Sequence, residues 1–311
     1  MLKAKQRGGN RLAGSLAMML ENHGDRNSQP VACPLCGRSS TERIFTRTAY
    51  QQVWHLVRCS SCGLHFTDPP PTEIEIRGFY GGDYHTELKN PGFMDRAFAP
   101  KYKRYLNFVT PHLRANAATL DVGCATGLFP RMLKDAGYRA EGIELNSASA
   151  AWGRENYGVP IHEGLLDDLG VSSHKFDLIS MTDVLEHTLS PPAEVHKVYD
   201  LLNEGGHFLV TFPDILSPSS RYLRALSKSL NREWAWTTCH IPQHTWEFSY
   251  RTALRLFTNG GFELVAFRRS QKFSFELSKF GLLCLPANLA ALPGVDRYAG
   301  NQMEFLLKRK T

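Results

Sequence analysis

From about Ala117 onward, short apolar runs alternate with amphipathic helical runs, and this rhythm restricts the fold more than any other feature. Strands separated by helices need crossover connections, which build a mainly parallel sheet with helices on its faces. "ATLDVG" (118–123) reads as a strand, "LFPRMLKDAG" (128–137) as a helix with a glycine stop, and "RAEGIEL" (139–145) as the next strand. The helix "SASAAWGRENYG" (147–158), the strand "VPIHEG" and the strand "FDLISMTDV" (176–184) follow. A helix around "AEVHKVYDLLNEGG", whose paired glycines suit a helix end, leads to the strand "HFLVTF" (207–212). "RTALRLFTNGGFELVAF" supplies a further helix and strand, and "QMEFLLKRK" a last strand.

"LDVGCATG" (120–127) is the most informative stretch within that rhythm. A strand ends near Asp121, the chain turns through Gly123, Cys124, Ala125, Thr126 and Gly127, and a helix follows. Glycine allows a tight turn and close approach of a ligand to the main chain. The next strand ends in "GIELN", with Glu144 at its tip and Leu145 beside it, where a carboxylate can accept both hydroxyls of a ribose. The dinucleotide fingerprint G-x-G-x-x-G is not met, because Ala125 and Leu128 hold its second and third glycine positions.

In motif order, residues 118–310 resemble a class I S-adenosylmethionine-dependent methyltransferase. "LDVGCATG" resembles that family's D-x-G-x-G-x-G, with Ala125 in place of the middle glycine. "GIELN" resembles its ribose-binding strand. "EGLLDDL" (163–169) resembles the segment beside adenine and points to Leu166 and Asp167. "FDLISMTDVLEH" (176–187), which includes Thr182, resembles the fourth-strand motif. "LLNEGGHFLVTFPD" resembles the region through the fifth strand. The resemblance implies a doubly wound, Rossmann-like sheet of seven strands with the last one antiparallel. It also implies S-adenosyl-L-methionine as methyl donor. A sulfonium donor carries no pyrophosphate, so no phosphate-binding lysine is required, and catalysis rests largely on alignment.

An oxygen or nitrogen acceptor must lose a proton, either to a base or with the help of a metal. "DVLEH" places Asp183, Glu186 and His187 just past the fourth strand, and "CHIPQHTWEFS" (239–249) adds His240 and His244. Asp183 and Glu186 share a face if that turn is helical. These clusters resemble two metal-dependent branches, the ubiquinone-pathway O-methyltransferases and the small-RNA terminal 2′-O-methyltransferases. Both resemblances imply a divalent site, with Mg²⁺, at Asp183, Glu186, His187 and His244. The alternative is that His244 serves as general base with Glu186 and His187 nearby. In "GFYGGDYHT" (78–86), Tyr80 and Tyr84 resemble tyrosines that cover the cofactor in zinc-ribbon methyltransferases.

Ahead of this domain stand "CPLCG" (33–37) and "CSSCG" (59–63). Two C-x-x-C turns at this spacing point to a structural four-thiolate zinc site at Cys33, Cys36, Cys59 and Cys62. Four thiolates close the metal's coordination shell, so the site contributes folding energy rather than catalysis. The resulting organisation is a leader at 1–30, a zinc ribbon at 31–70, a helical connector at 72–115 and the methyltransferase domain at 116–311. Residues 274–298 form an apolar insert, suited to covering the active-site face, to lining an acceptor pocket or to touching a membrane surface.

The chain of 311 residues is 42% apolar, enough for one large core or two unequal domains. Its formal charge of +6 accommodates an anionic substrate without requiring nucleic acid. Seven cysteines, an odd number used partly as C-x-x-C pairs, point to a reducing, cytoplasmic setting. The leader "LAGSLAMML" (12–20) is followed by no small-residue cleavage site, which reads as a short helix or disordered leader rather than a secretory signal. The expected acceptor is a small molecule, a sugar or a lipid-linked compound, methylated at oxygen. The rival readings are an RNA methyltransferase guided by the ribbon and a non-catalytic binding protein. Cys33→Ser is expected to unfold the ribbon before it disturbs methyl transfer, seen as lost zinc content and new protease cleavage within 31–70.

Overall fold

A cysteine knuckle closes when amides behind a C-x-x-C pair bond back to its first carbonyl. Here the N–H of Gly37 donates to Cys33 O (2.7 Å) and that of Gly63 to Cys59 O (2.9 Å). The structure, a computed structural model, describes residues 31–80, 91–169, 175–229, 241–270 and 294–311. Between the knuckles run β1 (Thr41–Ala49) and β2 (Gln52–Cys59), followed by β3 (His65–Asp68). The β1–β2 hairpin turns through Tyr50 and Gln51, both at positive φ (51° and 61°). That is the pattern of a two-residue turn whose twist matches its strands.

Helices α1 (Glu73–Tyr80) and α2 (Pro91–Val109) connect the ribbon to the larger sheet. Then come β4 (Ala118–Val122), α3 (Leu128–Asp135), β5 (Arg139–Glu144), α4 (Ser147–Tyr157), β6 (Ile161–Glu163) and β7 (Phe176–Thr182). They are followed by α5 (Pro191–Leu201), β8 (Leu202–Pro213), α6 (Pro218–Ser229), β9 (Trp246–Glu247), α7 (Tyr250–Asn259), β10 (Phe262–Ser270), α8 (Asp296–Ala299) and β11 (Gln302–Arg309). The larger sheet has seven strands in the order β10-β11-β8-β7-β4-β5-β6. Strands β4 to β8 pair in parallel, and β11 lies antiparallel between β8 and β10. The alternating rhythm therefore gives the seven-stranded doubly wound sheet that the sequence implies.

The chain winds outward from β4 through β5 and β6, then returns to β4's other side at β7. This reversal opens a crevice at the carboxyl ends of β4 and β7, the place where such sheets bind ligands. Tyr105, Phe108 and Val109 of α2 pack with Phe129 and Leu133 of α3 over one face of the sheet. On the other face Phe212, Phe248, Phe257 and Phe305 form a fully buried aromatic group.

Two features differ from the sequence reading. Gly205 and Gly206 lie inside β8, and α5 stops at Leu201 before them. The second concerns β9, which belongs to the ribbon sheet, of order β1-β2-β3-β9. It pairs His65 with Glu247 and Phe66 with Trp246. The ribbon core is continuous with the main one: Cys33, Cys59, Leu64 and Phe66 share a cluster with Trp246, Phe248 and Phe257. Among the described residues, no helix is long and apolar enough to cross a membrane. Most of the insert at 274–298 and the leader at 1–30 lie outside the described residues. Phe305→Ala empties the centre of the aromatic group and is expected to cost about 3–5 kcal/mol. Urea unfolding checks this; a loss below about 1 kcal/mol would show that the site collapses around the gap.

Candidate active site

Gly123 and Gly127 bracket the turn after β4, at φ of 68° and 78°. A Cβ at Gly123 would stand 2.5 Å from a Val184 methyl carbon, and one at Gly127 would stand 2.7 Å from Ile161 Cδ1. Neither position accepts a side chain without displacing the wall behind it. Between them Ala125 also has positive φ, 50°. The alanine thus keeps the glycine conformation, which an L-residue adopts only when its surroundings enforce it.

The enforcing partner is Glu144. Its Oε2 accepts the Ala125 N–H at 2.8 Å and its Oε1 accepts the Asn146 N–H at 2.8 Å. The carboxylate is buried, and the two amides fix it between the turn and the tip of β5. A cavity of about 810 Å³ opens beside it. Gly123, Cys124, Ala125, Thr126, Glu144, Leu145, Leu166, Asp167, Thr182 and Tyr80 all stand on its wall.

Two candidates stand behind that wall instead. Gly127 starts α3. Asp121 accepts the Ser180 hydroxyl at 2.5 Å and bridges β4 to β7. Asp167 carries Lys197 Nζ at 2.7 Å on its outer side. Tyr84 and His240 lie outside the described residues.

A further part of the cavity wall is built from α1 and the turn after β7, with the segment before β9 packed behind them. Tyr80 Oη lies 2.6 Å from His187 Nδ1 and 3.3 Å from the Gln243 carbonyl. Both Tyr80 and His187 line the cavity. Beneath His187, the Glu186 carboxylate lies 3.8 Å from its Nε2 and is buried. His244 meets His187 edge-on, with ring centroids 4.6 Å apart. The His244 Nδ1 bonds Glu247 Oε1 at 3.0 Å, and both side chains are buried. His244 is thus a layer deeper than the cavity wall, and His187 is the histidine that faces it.

Asp183 departs from its expected company. The turn 185–187 is a single 3₁₀ turn that begins after Asp183, which itself sits at φ of 60°. Its side chain therefore leaves Glu186 and accepts Lys101 Nζ at 2.7 Å and Gln302 Nε2 at 2.6 Å. Burial alone would depress Lys101, but Asp183 and the Tyr105 and Tyr102 hydroxyls hold it above the ordinary lysine range. Both Lys101 and Asp183 reach the cavity, so one wall carries a fixed ion pair.

Glu186, His187 and His244 do come together, each offering one donor atom within 4.8 Å of the others. Two imidazoles and one carboxylate suit a divalent ion of the zinc or iron type. Mg²⁺ requires mostly oxygen ligands and fits them poorly once Asp183 has turned away. The four cysteines also converge, with Sγ–Sγ distances of 3.5 Å for Cys33–Cys62 and 3.6 Å for Cys36–Cys59. That donor set fits a tetrahedral zinc ion.

Sequence reasoning missed Glu247, Lys101 and Gln243. The only local signal was the acid three residues after His244. In a strand, however, that spacing puts two side chains on opposite faces. It pairs them here because β9 covers only Trp246–Glu247, and His244 lies ahead of it outside the strand.

Residues 93–266 match a family described as "Methyltransferase domain", and the chain belongs to that family. Together with the fold, this makes it a methyltransferase-domain protein with an N-terminal four-cysteine unit. It is 27% identical over 154 residues to a Mycolicibacterium smegmatis protein named as an S-adenosylmethionine-dependent methyltransferase, covering 49% of this chain and 54% of that one. It is 26% identical over 128 residues to the ubiquinone biosynthesis O-methyltransferase of Azotobacter vinelandii, covering 39% of this chain and 54% of that one. The chain thus spans about half the length of the curated relatives it matches. The fold is also that of a chain solved in a complex with the Haloferax volcanii Trm112 methyltransferase activator. There the TM-score is 0.56 at 14% identity, covering 76% of this chain and 98% of that one.

Burial raises the Asp121 carboxyl to about 7, against the Ser180 hydroxyl and Lys101, which pull it down. The folded protein then keeps a proton that the unfolded chain releases near pH ~4. This stabilisation is complete below that pH and is lost as pH rises through about 7. Relative to Asp121→Asn, the wild-type urea midpoint is expected to fall between pH ~4 and ~8. Parallel profiles for the two proteins would contradict the burial cause.

Proposed function

We propose that this protein transfers a methyl group from S-adenosylmethionine to a hydroxyl oxygen of a small-molecule, sugar or lipid-linked acceptor. One observation carries the reading. A single cavity is lined by the backbone-fixed Glu144, the glycine turn and the Tyr80–His187 pair. The similarity to ubiquinone biosynthesis O-methyltransferases supports oxygen as the acceptor atom. In this reading residues 123–127 hold the methionine part of the donor, Glu144 the ribose hydroxyls, and Leu166 with Asp167 the adenine. The bound donor supplies an electrophilic sulfonium methyl.

The chain's own residues handle the proton. With Nδ1 of His187 unprotonated and Tyr80 Oη donating to it, an acceptor hydroxyl beside the phenol can give its proton to Oη while the phenol proton passes to Nδ1, and the new Nδ1–H then donates to the Gln243 carbonyl. Glu186 beneath Nε2 stabilises the imidazolium that forms. Lys101 and Asp183 give the cavity a charged wall that orients a polar acceptor. In this scheme His244 supports His187 and does not itself meet the acceptor. Mg²⁺ has no part in it, and four thiolates of the ribbon hold a structural zinc.

Calorimetry tests the donor reading. S-adenosylmethionine is expected to bind, and Glu144→Ala to weaken it at least about tenfold, the scale of a lost charged hydrogen-bond pair. No heat of binding to the wild type would sink the proposal. With a methyl-labelled donor and a panel of phenolic and sugar acceptors, Tyr80→Phe and His187→Gln are expected to lower turnover about 10²-fold or more while leaving donor affinity unchanged. Added Mg²⁺ should leave the rate unchanged; stimulation by it would return the metal reading to favour.

A further inference from the structure

We infer that the cysteine ribbon is a working part of the active site. Its third strand positions the segment carrying Gln243, His244 and Glu247, and Thr67 is the positioning residue. The inference rests on the proposed function only for what the segment does, not for how it is held.

The grip is made at two consecutive peptides. Thr67 donates its N–H to Thr245 O at 2.9 Å and its hydroxyl to His244 O at 2.8 Å. On the same peptide as His244 O, Thr245 N–H donates to Glu186 O at 2.9 Å. The chain around His244 is therefore clamped between the ribbon on one side and the turn carrying Glu186 and His187 on the other. Thr67 is fully buried, so water cannot substitute for either bond.

Independent ribbon contacts extend the grip to both ends of the segment. Arg47 donates to Ile241 O at 3.2 Å, and Gln243 Nε2 donates to Tyr50 Oη at 3.0 Å. Tyr50 sits at the hairpin tip in the positive-φ region, and its ring packs 4.8 Å from Phe79 of α1. The two-residue turn requires that conformation, and the Tyr50 hydroxyl holds the side chain of Gln243, whose carbonyl faces both Tyr80 and His187. At the other end, β9 adds to the ribbon sheet, and Trp246 Nε1 donates to Thr188 O at 2.6 Å.

The strand that ends at Cys59 pairs with β3 from His65 to Asp68, so the order imposed by the four thiolates passes directly into Thr67. A module that cannot activate an acceptor itself thereby decides where the two histidines stand.

Hydrogen exchange on the whole protein tests this, with Thr67→Val, Thr67→Ser and wild-type protein stripped of zinc by a mercurial thiol reagent. Thr67→Val keeps the shape and removes the donor. It is expected to speed exchange of the 244–247 amides about tenfold, leave residues 118–122 unchanged and leave zinc content intact. Thr67→Ser should restore wild-type protection. The Nδ1–H signal of His244 in proton–nitrogen NMR should be sharp in wild type and Thr67→Ser and lost in Thr67→Val. Stripping zinc should expose 241–248 at least as much. Protection of 244–247 that survives both Thr67→Val and zinc removal would overturn the inference. If stripping unfolds the whole protein, which faster exchange at 118–122 would reveal, the Val and Ser variants decide alone. Donor binding is measured on the same samples. Its absence in wild type would remove the proposed function while leaving the exchange result to stand or fall separately.

Discussion

The structure turns on one buried carboxylate. Glu144 accepts an amide from the turn after β4 and an amide from the start of α4. Those two bonds lock a backbone that Ala125 would not adopt unaided. They also place a negative charge where the sheet reverses direction and the cavity opens. Removing the acid would release the turn, the helix start and the ligand-facing charge together. For that reason the same residue governs local stability and binding.

A second constraint acts behind the His187 wall of the cavity. The segment before α7 contains a strand of only two residues, β9, which has no stability of its own. It persists because β3 supplies the missing partner and because Phe66, Trp246 and Phe248 merge the ribbon core with that of the larger sheet. The small cysteine unit and the catalytic half thus depend on each other. The ribbon gains a hydrophobic neighbour that a unit of its size lacks, and the histidine segment gains a fixed backbone.

The parallel sheet was readable because each strand–helix step carries its own local periodicity, and the residues singled out in "LDVGCATG" and "GIELN" include Gly123 to Thr126 and Glu144, which line the cavity. The four cysteines were readable from spacing. What stayed hidden depends on contacts remote in sequence. Nothing near Thr67 indicates that its hydroxyl meets His244, 177 positions away. The two-residue β9 has no period to detect. Asp183 looked like a partner of Glu186 on a helical face. Its positive φ, invisible in the sequence, turns it toward Lys101 instead. Gly205 and Gly206 suggested a helix end because glycine is common there, whereas they lie within β8, in the irregular stretch between Leu202 and His207, the residues that pair with β7, and Gly205 takes φ of 71°.

The most direct test of the account is a crystal structure with S-adenosylhomocysteine bound. The account predicts the ribose hydroxyls on the Glu144 carboxylate, the amino-acid tail over residues 123–127, and the sulfur directed toward the Tyr80–His187 pair. A product molecule seated away from Glu144, or with its sulfur turned from His187, would contradict it.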